Sequence, residues 1–395
     1  MAKQIVILGA GYGGLKAALE ASKLLTEDVA KVTVVNRYPF HQIITELHQP
    51  AAGSVEPKKV KLPLEKLLNG KNVDVLLAEV ERISPDERTI YFKDGSKVQY
   101  DFLVVGLGSE TEFFGIQGLS EHSFVLKSVE DAARINNHIE ECVKTYNETK
   151  DAANLAFAVG GAGLSGIELV GEIADMIPDI CEKYGVDSSL VKLYSIEAAP
   201  TILPGFPQSL VDRARVSLEE RGVQFLTSAP IVQMEHGRVH LKSGDILETK
   251  TLIWTGGVRG HSVVAASGIA VDGRGRAQIN EFLQSTSHKD VFVVGDSAIV
   301  MGGPNGRPYP PTAQLAGQMG IHVGQQIASL LNSTSLQAFQ PHLQGTLASL
   351  GRKDAIGMVG AEKRELTGKA AGWLKEASQI RYLWQIGGLF VHTAE

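Results

Sequence analysis

Apolar positions in this chain fall into short blocks and longer periodic runs that alternate along most of its length. The first block, Ile5–Leu8, closes on Gly9-Ala10-Gly11-Tyr12-Gly13-Gly14, after which Leu15, Ala18, Leu19 and Ser22 mark a helical pattern. Strand, glycine turn, helix is the setting in which GxGxxG has a mechanism. There, Gly9 allows the tight turn, Gly11 lets the backbone approach a pyrophosphate, and Gly14 lets the helix pack closely on the strand. The helix N-terminus then offers unpaired N–H groups to the phosphates. Lys31–Val35 predicts a second strand, ending at Asn36-Arg37, where such folds meet the adenosine ribose. An acid is usual at that point. Asn36 can still donate to and accept from ribose hydroxyls, and a plain turn residue fits nearly as well. Phe40–Gly53 has no clear period and reads as a loop over a cofactor. Val73–Val80 and Thr89–Phe92 read as short antiparallel strands around a turn at Lys93–Gly95, and Tyr100–Gly108 as a buried strand closing on glycines.

After a connecting helix expected over Phe124–Tyr146, the pattern restarts. Leu155–Val159 is a strand block, Gly161, Gly163 and Gly166 repeat GxGxxG, and a helix is expected over Ile167–Met176. Val191–Ile196 is the next strand and ends in Glu197, 36 positions after Gly161, with an insertion at Pro178–Ser189 explaining the long spacing. Thr251–Gly257 closes this unit as the strand at Gly108 closed the first. Gly9 to Gly108 spans 99 positions and Gly161 to Gly257 spans 96. Two units of nearly equal length, opened and closed alike, predict an α/β fold of two tandem Rossmann-like dinucleotide-binding domains. Asp290–Asp296 is a further buried strand ending in Gly-Asp. A Pro-Pro-Thr lead-in then opens a helix over Ala313–Leu331, followed by short strands at Gly345–Leu350 and Ala355–Val359 and a helical stretch at Lys369–Gln385.

Length and composition narrow the reading. The 395 residues suit two or three domains, and 44% apolar with 21% charged residues is ordinary for a globular protein. The net charge of −6 gives no reason to propose nucleic acid. Cys142 and Cys181 are far apart with no CxxC, which argues against a disulfide framework or zinc site, and no metal cluster is expected. No signal peptide is expected, because the first apolar block is short and runs into the glycine turn. No apolar run is long enough to span a bilayer, which leaves contact with a membrane surface open.

Together these motifs resemble the two-dinucleotide-binding flavoprotein superfamily and, within it, the type II NADH dehydrogenases, single-subunit NADH:quinone oxidoreductases. The residues that carry the closer resemblance are Ala313-Gln314-Leu315-Ala316-Gly317-Gln318, Gly160–Glu172, Glu197-Ala198-Ala199-Pro200 and Ser349-Leu350-Gly351. The resemblance implies non-covalent FAD on Gly9, Gly11, Gly13, Gly14, Asn36, Arg37, Gly108, Asp296 and Ala313. It implies NADH on Gly161, Gly163, Gly166, Glu197 and Gly257. It divides the chain into an FAD-binding part (1–119), an NADH-binding domain (120–257), a return to the FAD-binding domain (258–335) and a C-terminal membrane-associating and dimerisation region (336–395).

Several residues carry two readings. Glu197 would accept from the ribose 2′-OH and repel a 2′-phosphate, favouring NADH over NADPH, or it is a solvated acid at a strand end. Asp296 would hold the FAD ribityl chain, or cap the following segment. Glu168 in the first turn of the second helix, with Glu172 one turn on, would relay protons to the quinone, or complement the helix dipole. Gln314 and Gln318 share one helix face, where neutral amides suit quinone carbonyls, or they form an ordinary polar face. Trp373, Ala377, Ile380 and Trp384 form one helical stripe, with Lys375 mostly elsewhere. That stripe suits a helix lying on a bilayer, or a core or dimer helix. His41 and His48 fit solvated or core roles better than catalytic ones.

The resemblance implies hydride transfer from NADH to FAD, then two electrons to a membrane quinone. It also implies a homodimer on the cytoplasmic face of the cell membrane, held peripherally. The alternative is a related NAD(P)H-dependent flavoprotein reductase whose acceptor is a small electron-transfer protein. The family often ends in a basic tail, whereas this chain ends Val391-His392-Thr393-Ala394-Glu395.

Overall fold

The computed structural model describes residues 1–303 and 306–388, so the non-basic end at 391–395 lies outside the described residues. Two five-stranded parallel sheets organise the molecule. In the first, Lys3–Leu8 lies between Ala30–Asn36 and Phe102–Val105, with Asp74–Leu77 and Val291–Val293 at the edges. In the second, Ala156–Gly160 lies between Lys192–Ile196 and Thr251–Trp254, with Val223–Leu226 and Phe124–Val125 at the edges. Strands covered on both faces read as unbroken apolar blocks, which is why the opening and closing strands of each unit stand out in the sequence. The last strand of the first sheet comes from beyond the second unit, so the chain leaves the first unit and returns to it.

The structure corrects several local expectations. Val73–Val80 is not one hairpin arm: Asp74–Leu77 joins the first parallel sheet, and Val80–Ser84 pairs antiparallel with Thr89–Phe92. The turn at Lys93–Gly95 instead connects Thr89–Phe92 to Lys97–Gln99. An equivalent antiparallel sheet, Ile231–Glu235 with Arg238–Leu241 and Ile246–Glu248, sits at the same place in the second unit. The connecting stretch at Phe124 begins as a two-residue strand, and its helix runs Val129–Thr149, capped by the Ser128 hydroxyl. Phe40–Gly53 is a strand, Phe40–Gln42, then a 3-10 turn at Ile44–Glu46 and a short helix at His48–Ala52. The helix after the second glycine turn does not stop at Met176. It runs Leu164–Tyr184 through Pro178, so the long spacing to Glu197 is helix rather than inserted loop.

Helices Tyr12–Leu24 and Ala313–Leu331 pack closely because Gly320 and Gly324 face Gly13, Ala17 and Glu20, where added Cβ atoms would meet backbone. The two units are joined where Ser109–Thr111 and Val258–Gly260 cross between them as an antiparallel pair. The C-terminal region is a three-stranded antiparallel sheet, Gly345–Ser349, Ala355–Val359 and Arg364–Thr367, followed by the helix Gly368–Gln385. Its sheet leans on the second unit through Asp354 with Arg213 and Ser217, and Arg352 N–H with Asp175. Its helix reaches back to the first unit, where the Tyr382 hydroxyl meets His41 and Lys16 donates to Gln385. Among the described residues no helix is long and apolar enough to cross a membrane.

Candidate active site

Both glycine turns have the same geometry. Gly9 and Gly161 adopt φ of +92° and +94°, which non-glycine residues avoid. Gly14 and Gly166 lie against the Gly9 and Gly161 carbonyls, leaving no space for a Cβ. At Gly11 and Gly163 the direction a Cβ would take is open, with nothing within 4 Å. That open ground lies at the N-termini of helices beginning at Tyr12 and Leu164, at the carboxyl ends of the strands, where anions bind. The cradle therefore fits a pyrophosphate twice. Gly13 packs on Val294 and the Ala316 carbonyl, so it serves the fold. Gly108 (φ +77°) is open, its carbonyl bonded to Ser297, whereas a Cβ added at Gly257 would lie 3.0 Å from the Phe114 ring.

Asn36 and Glu197 occupy matching places and do matching work. Asn36 Oδ1 accepts from Ala10 N–H at 3.0 Å, and its Nδ2 donates to the Tyr38 carbonyl at 2.7 Å. Glu197 accepts from Ala162 N–H at 2.7 Å and Ala199 N–H at 2.8 Å. Each pins its glycine turn, a role beside any contact with ribose. Arg37 is exposed and stacks on Tyr38. Asp296 Oδ2 accepts from Ser109, whose hydroxyl also receives Lys127 Nζ. Asp296 Oδ1 has no hydrogen-bond partner among the described residues, so it suits a cofactor hydroxyl. Ala313 begins its helix, with the Thr312 hydroxyl as cap.

Three remote segments bring their charges to one place. Lys375 of the C-terminal helix donates to Glu168 Oε1 at 2.6 Å and to Ser349 Oγ at 2.9 Å. Ser349 N–H and Oγ also donate to Glu168, at 3.1 and 3.2 Å. Burial pushes the Glu168 carboxyl up, but Lys375, His48 and Ser349 outweigh it and hold Glu168 below the usual carboxylate range. Burial pulls Lys375 down, and Glu168 with Glu46 more than restores it. Glu172, two turns from the glycine motif, is bonded by the Ser54 hydroxyl, yet burial still raises its carboxyl. Burial pushes Glu46 up to about 7, with Lys375 opposing and Glu168 and Glu172 adding to the rise. Burial takes His48 down to about 4, so it is neutral at physiological pH. Its Nε2 lies 3.4 Å from Ser349 Oγ and 3.9 Å from Glu46 Oε2.

Gln318 is otherwise occupied. Its Nε2 donates to the His342 carbonyl at 2.7 Å and its Oε1 accepts from His342 N–H at 2.9 Å. Gln314 accepts from Gln344 N–H at 3.1 Å, and its Nε2 has no partner among the described residues. The glutamine face thus binds the strand-like segment leading into the C-terminal sheet, and Gln314 keeps both of its amide donors for a ligand where Gln318 has spent one. Trp373, Ile380 and Trp384 are 76%, 53% and 69% exposed, so this stripe is not core. The inward face of that helix carries Lys375 and Tyr382 instead.

Sequence reading gave no site role to Lys375, Glu46, Ser349 or Ser54, and placed His48 as solvated or core. His41 and His48 are both fully buried, and His48 belongs to the charged cluster. Lys16 and Lys127 were also missed. Burial pulls Lys16 down to about 8, and Lys127 is lowered for the same reason. Lys16 was detectable in principle as a cation two positions after the first glycine motif, whereas Lys127 reaches Asp296 only through the fold.

The pyridine nucleotide-disulphide oxidoreductase family matches residues 3–320. A type II NADH:quinone oxidoreductase of Staphylococcus epidermidis is 39% identical over 392 residues, covering 98% of this chain and 96% of the relative. Its namesake from Staphylococcus aureus is 36% identical with the same coverage. The solved structure of NDH2 from Plasmodium falciparum in complex with NADH superposes with a TM-score of 0.87 at 18% identity, covering 99% of this chain and 97% of that one. The repeated glycine cradles and these full-length matches place the chain in the pyridine nucleotide-disulphide oxidoreductase family, among the type II NADH:quinone oxidoreductases.

Proposed function

We propose that this protein oxidises NADH and reduces a membrane quinone without pumping protons, with FAD on the first glycine turn and NADH on the second. The observation that carries the reading is the pair of open cradles at Gly11 and Gly163 in a chain matching type II NADH:quinone oxidoreductases over nearly its whole length. Gly9–Gly14, Asn36, Gly108, Asp296 and Ala313 hold FAD; Gly161–Gly166, Glu197 and Gly257 hold NADH. Bound FAD supplies the chemistry that links a two-electron hydride donor to a quinone.

The residues supply position and protons. NADH, one proton and a quinone give NAD⁺ and a quinol, so each turnover draws one proton from solution. Glu168 is held as a carboxylate against Lys375 and Ser349, ready to take a proton and pass it to a quinone oxygen. Lys375 offsets the charge Glu168 carries before it is loaded. Glu172 stands behind Glu168 on the same helix. Gln314 Nε2 is an amide donor available to a quinone carbonyl. Glu197 places a negative charge where NADPH has its 2′-phosphate, which selects NADH.

The exposed Trp373, Ile380 and Trp384 face supports peripheral attachment to the membrane that dissolves the quinone, on its cytoplasmic side. Homodimer formation through the C-terminal region belongs to the same reading, and light scattering tests it. The decisive experiment is anaerobic. NADH is expected to bleach the flavin and a water-soluble quinone to restore it over many turnovers. A flavin that NADH bleaches and quinone leaves reduced would sink the acceptor assignment. A protein that cannot be loaded with FAD would sink the reading of residues 1–119.

A further inference from the structure

A cleft of about 570 Å³ opens beside the charged cluster, between the chain after the His48–Ala52 helix and the C-terminal helix. Gln49, Ser54, Val55, Glu56, Lys58, Lys59, Val60 and Gln379 line it. Two of these residues lead inward. Gln49 Nε2 donates to Glu46 Oε2 at 2.8 Å, and the Ser54 hydroxyl binds Glu172. The cleft is roomy and polar enough to hold water with several partners. Glu46 itself is buried, its side chain 5% exposed. It therefore sits one side chain from solvent on one flank and one histidine from the Ser349–Lys375–Glu168 group on the other.

Resting on the function proposed above, we infer that Glu46 loads a solvent proton from this cleft and delivers it through His48 to the Glu168–Lys375 pair, making Glu46 a positioning residue for quinone reduction. In this step the Glu46 O–H bond breaks and the His48 Nε2 lone pair takes the proton. The new N–H bond then breaks toward Ser349 Oγ, whose own O–H proton passes to Glu168 Oε1, and the Glu168 O–H bond breaks in turn as the proton goes to the quinone oxygen, returning Glu168 to its carboxylate form. The Glu46 carboxylate refills from water in the cleft. No electrons change place, and one proton moves per turnover, as the overall reaction requires. A neutral His48 leaves its Nε2 able to accept, because its other nitrogen faces the Thr45 carbonyl. The groups facing Glu46 are Lys375 from the C-terminal helix, Glu168 and Glu172 from the second glycine-turn helix, Tyr12 from the first, and His48 from its own segment. Lys375 favours the charged form; the carboxylates and burial favour the protonated one. That balance puts Glu46 at about 7, where it both gains and gives a proton readily.

The test uses the FAD-loaded protein and two readouts. Infrared spectra recorded from about pH 5 to about pH 9 are expected to show a protonated-carboxyl C=O band titrating near 7. The band should vanish in Glu46→Gln and survive in Glu172→Gln. Stopped-flow reoxidation of the flavin by quinone should slow roughly a hundredfold in Glu46→Gln, the low end of what a positioned acid contributes. Its fall above pH 7 should disappear in that variant, while reduction by NADH keeps its rate. Glu46→Asp should recover part of the loss, and Val55→Trp, which narrows the cleft, should slow the same half-reaction. A band and pH profile retained in Glu46→Gln overturn the proposal with the enzyme otherwise intact. Failure of the unaltered protein to pass electrons to quinone overturns the functional reading as well.

Discussion

Replacing Lys375 with Met tests the electrostatic account of the buried cluster most directly. The side chains of Lys375 and Glu168 are only 19% and 12% exposed, and their contact is 2.6 Å. Removing one member of such a pair leaves a buried carboxylate with no counter-charge, which costs about 3–5 kcal/mol. With about 2.1 cal/mol/K of unfolding entropy per residue, a chain of 395 residues should lose about 4–6 °C in Tm when unfolding as one unit. The pH dependence is more telling. With Lys375 present, Glu168 titrates below its unfolded value. Its pairing therefore stabilises the fold above that value and is lost as the pH falls through the folded one. In Lys375→Met the largest opposing influence is gone, so burial outweighs what His48 and Ser349 still supply and lifts Glu168 above its unfolded value; the penalty is full at high pH and shrinks as acid protonates the carboxyl. Urea unfolding followed by circular dichroism, at fixed excess FAD, should show a gap between the two proteins that is wide at about pH 8 and narrow at about pH 4. The double variant Lys375→Met with Glu168→Gln should recover most of the loss, since no unpaired charge stays buried. A gap that does not change with pH, or a double variant no better than the single, would refute the reasoning.

Gly163→Ala should fold normally, because nothing lies within 4 Å of the new Cβ, yet bind NADH more weakly in fluorescence titration. Gly166→Ala should instead lose about 1–3 kcal/mol of stability in urea, since its Cβ is driven onto the Gly161 carbonyl. Glu197→Gln should narrow the preference for NADH over NADPH by roughly tenfold in the ratio of dissociation constants, about 1.4 kcal/mol. It should also cost about 1 kcal/mol of stability, because an amide cannot accept from both Ala162 and Ala199 with its two ends. Trp373→Ser combined with Trp384→Ser should leave Tm unchanged and abolish sedimentation with lipid vesicles; retained sedimentation would remove the membrane role of this face.

The parallel sheets and both glycine turns were legible because strands covered on two faces leave solid apolar blocks, and the turn demands glycine at fixed places. The full length of the helix after the second turn was also written in the sequence: Ile173, Ile177, Ile180 and Cys181 keep helical spacing straight through Pro178. The reading gave the proline more weight than the period. The charged cluster was not legible. Glu46 and His48 lie in a segment of short elements with no period long enough to assign a face. Lys375 could be placed only off the apolar stripe, because periodicity identifies the two faces of a helix but not which one is covered. Here the Trp373–Ile380–Trp384 stripe faces out, while Lys375 and Tyr382 turn inward beside the buried Ala371 and Leu383. Gln314 and Gln318 share a face as their spacing requires, but the segment that occupies that face arrives from 24 and 30 positions away.

The crossing strands Ser109–Thr111 and Val258–Gly260 carry the chain from the first nucleotide unit to the second and back, paired as one antiparallel ribbon. Left alone, such a ribbon is a hinge: it permits rotation about one axis. The C-terminal segment adds a third tether away from that axis, seated on the second unit at Asp354 and clasped to the first at His41 and Lys16. Three non-collinear attachments fix one body against another. A frame braced in this way is expected to hold the two nucleotide cradles at a fixed separation. Cutting the brace between residues 360 and 368 would free the hinge without touching either nucleotide cradle.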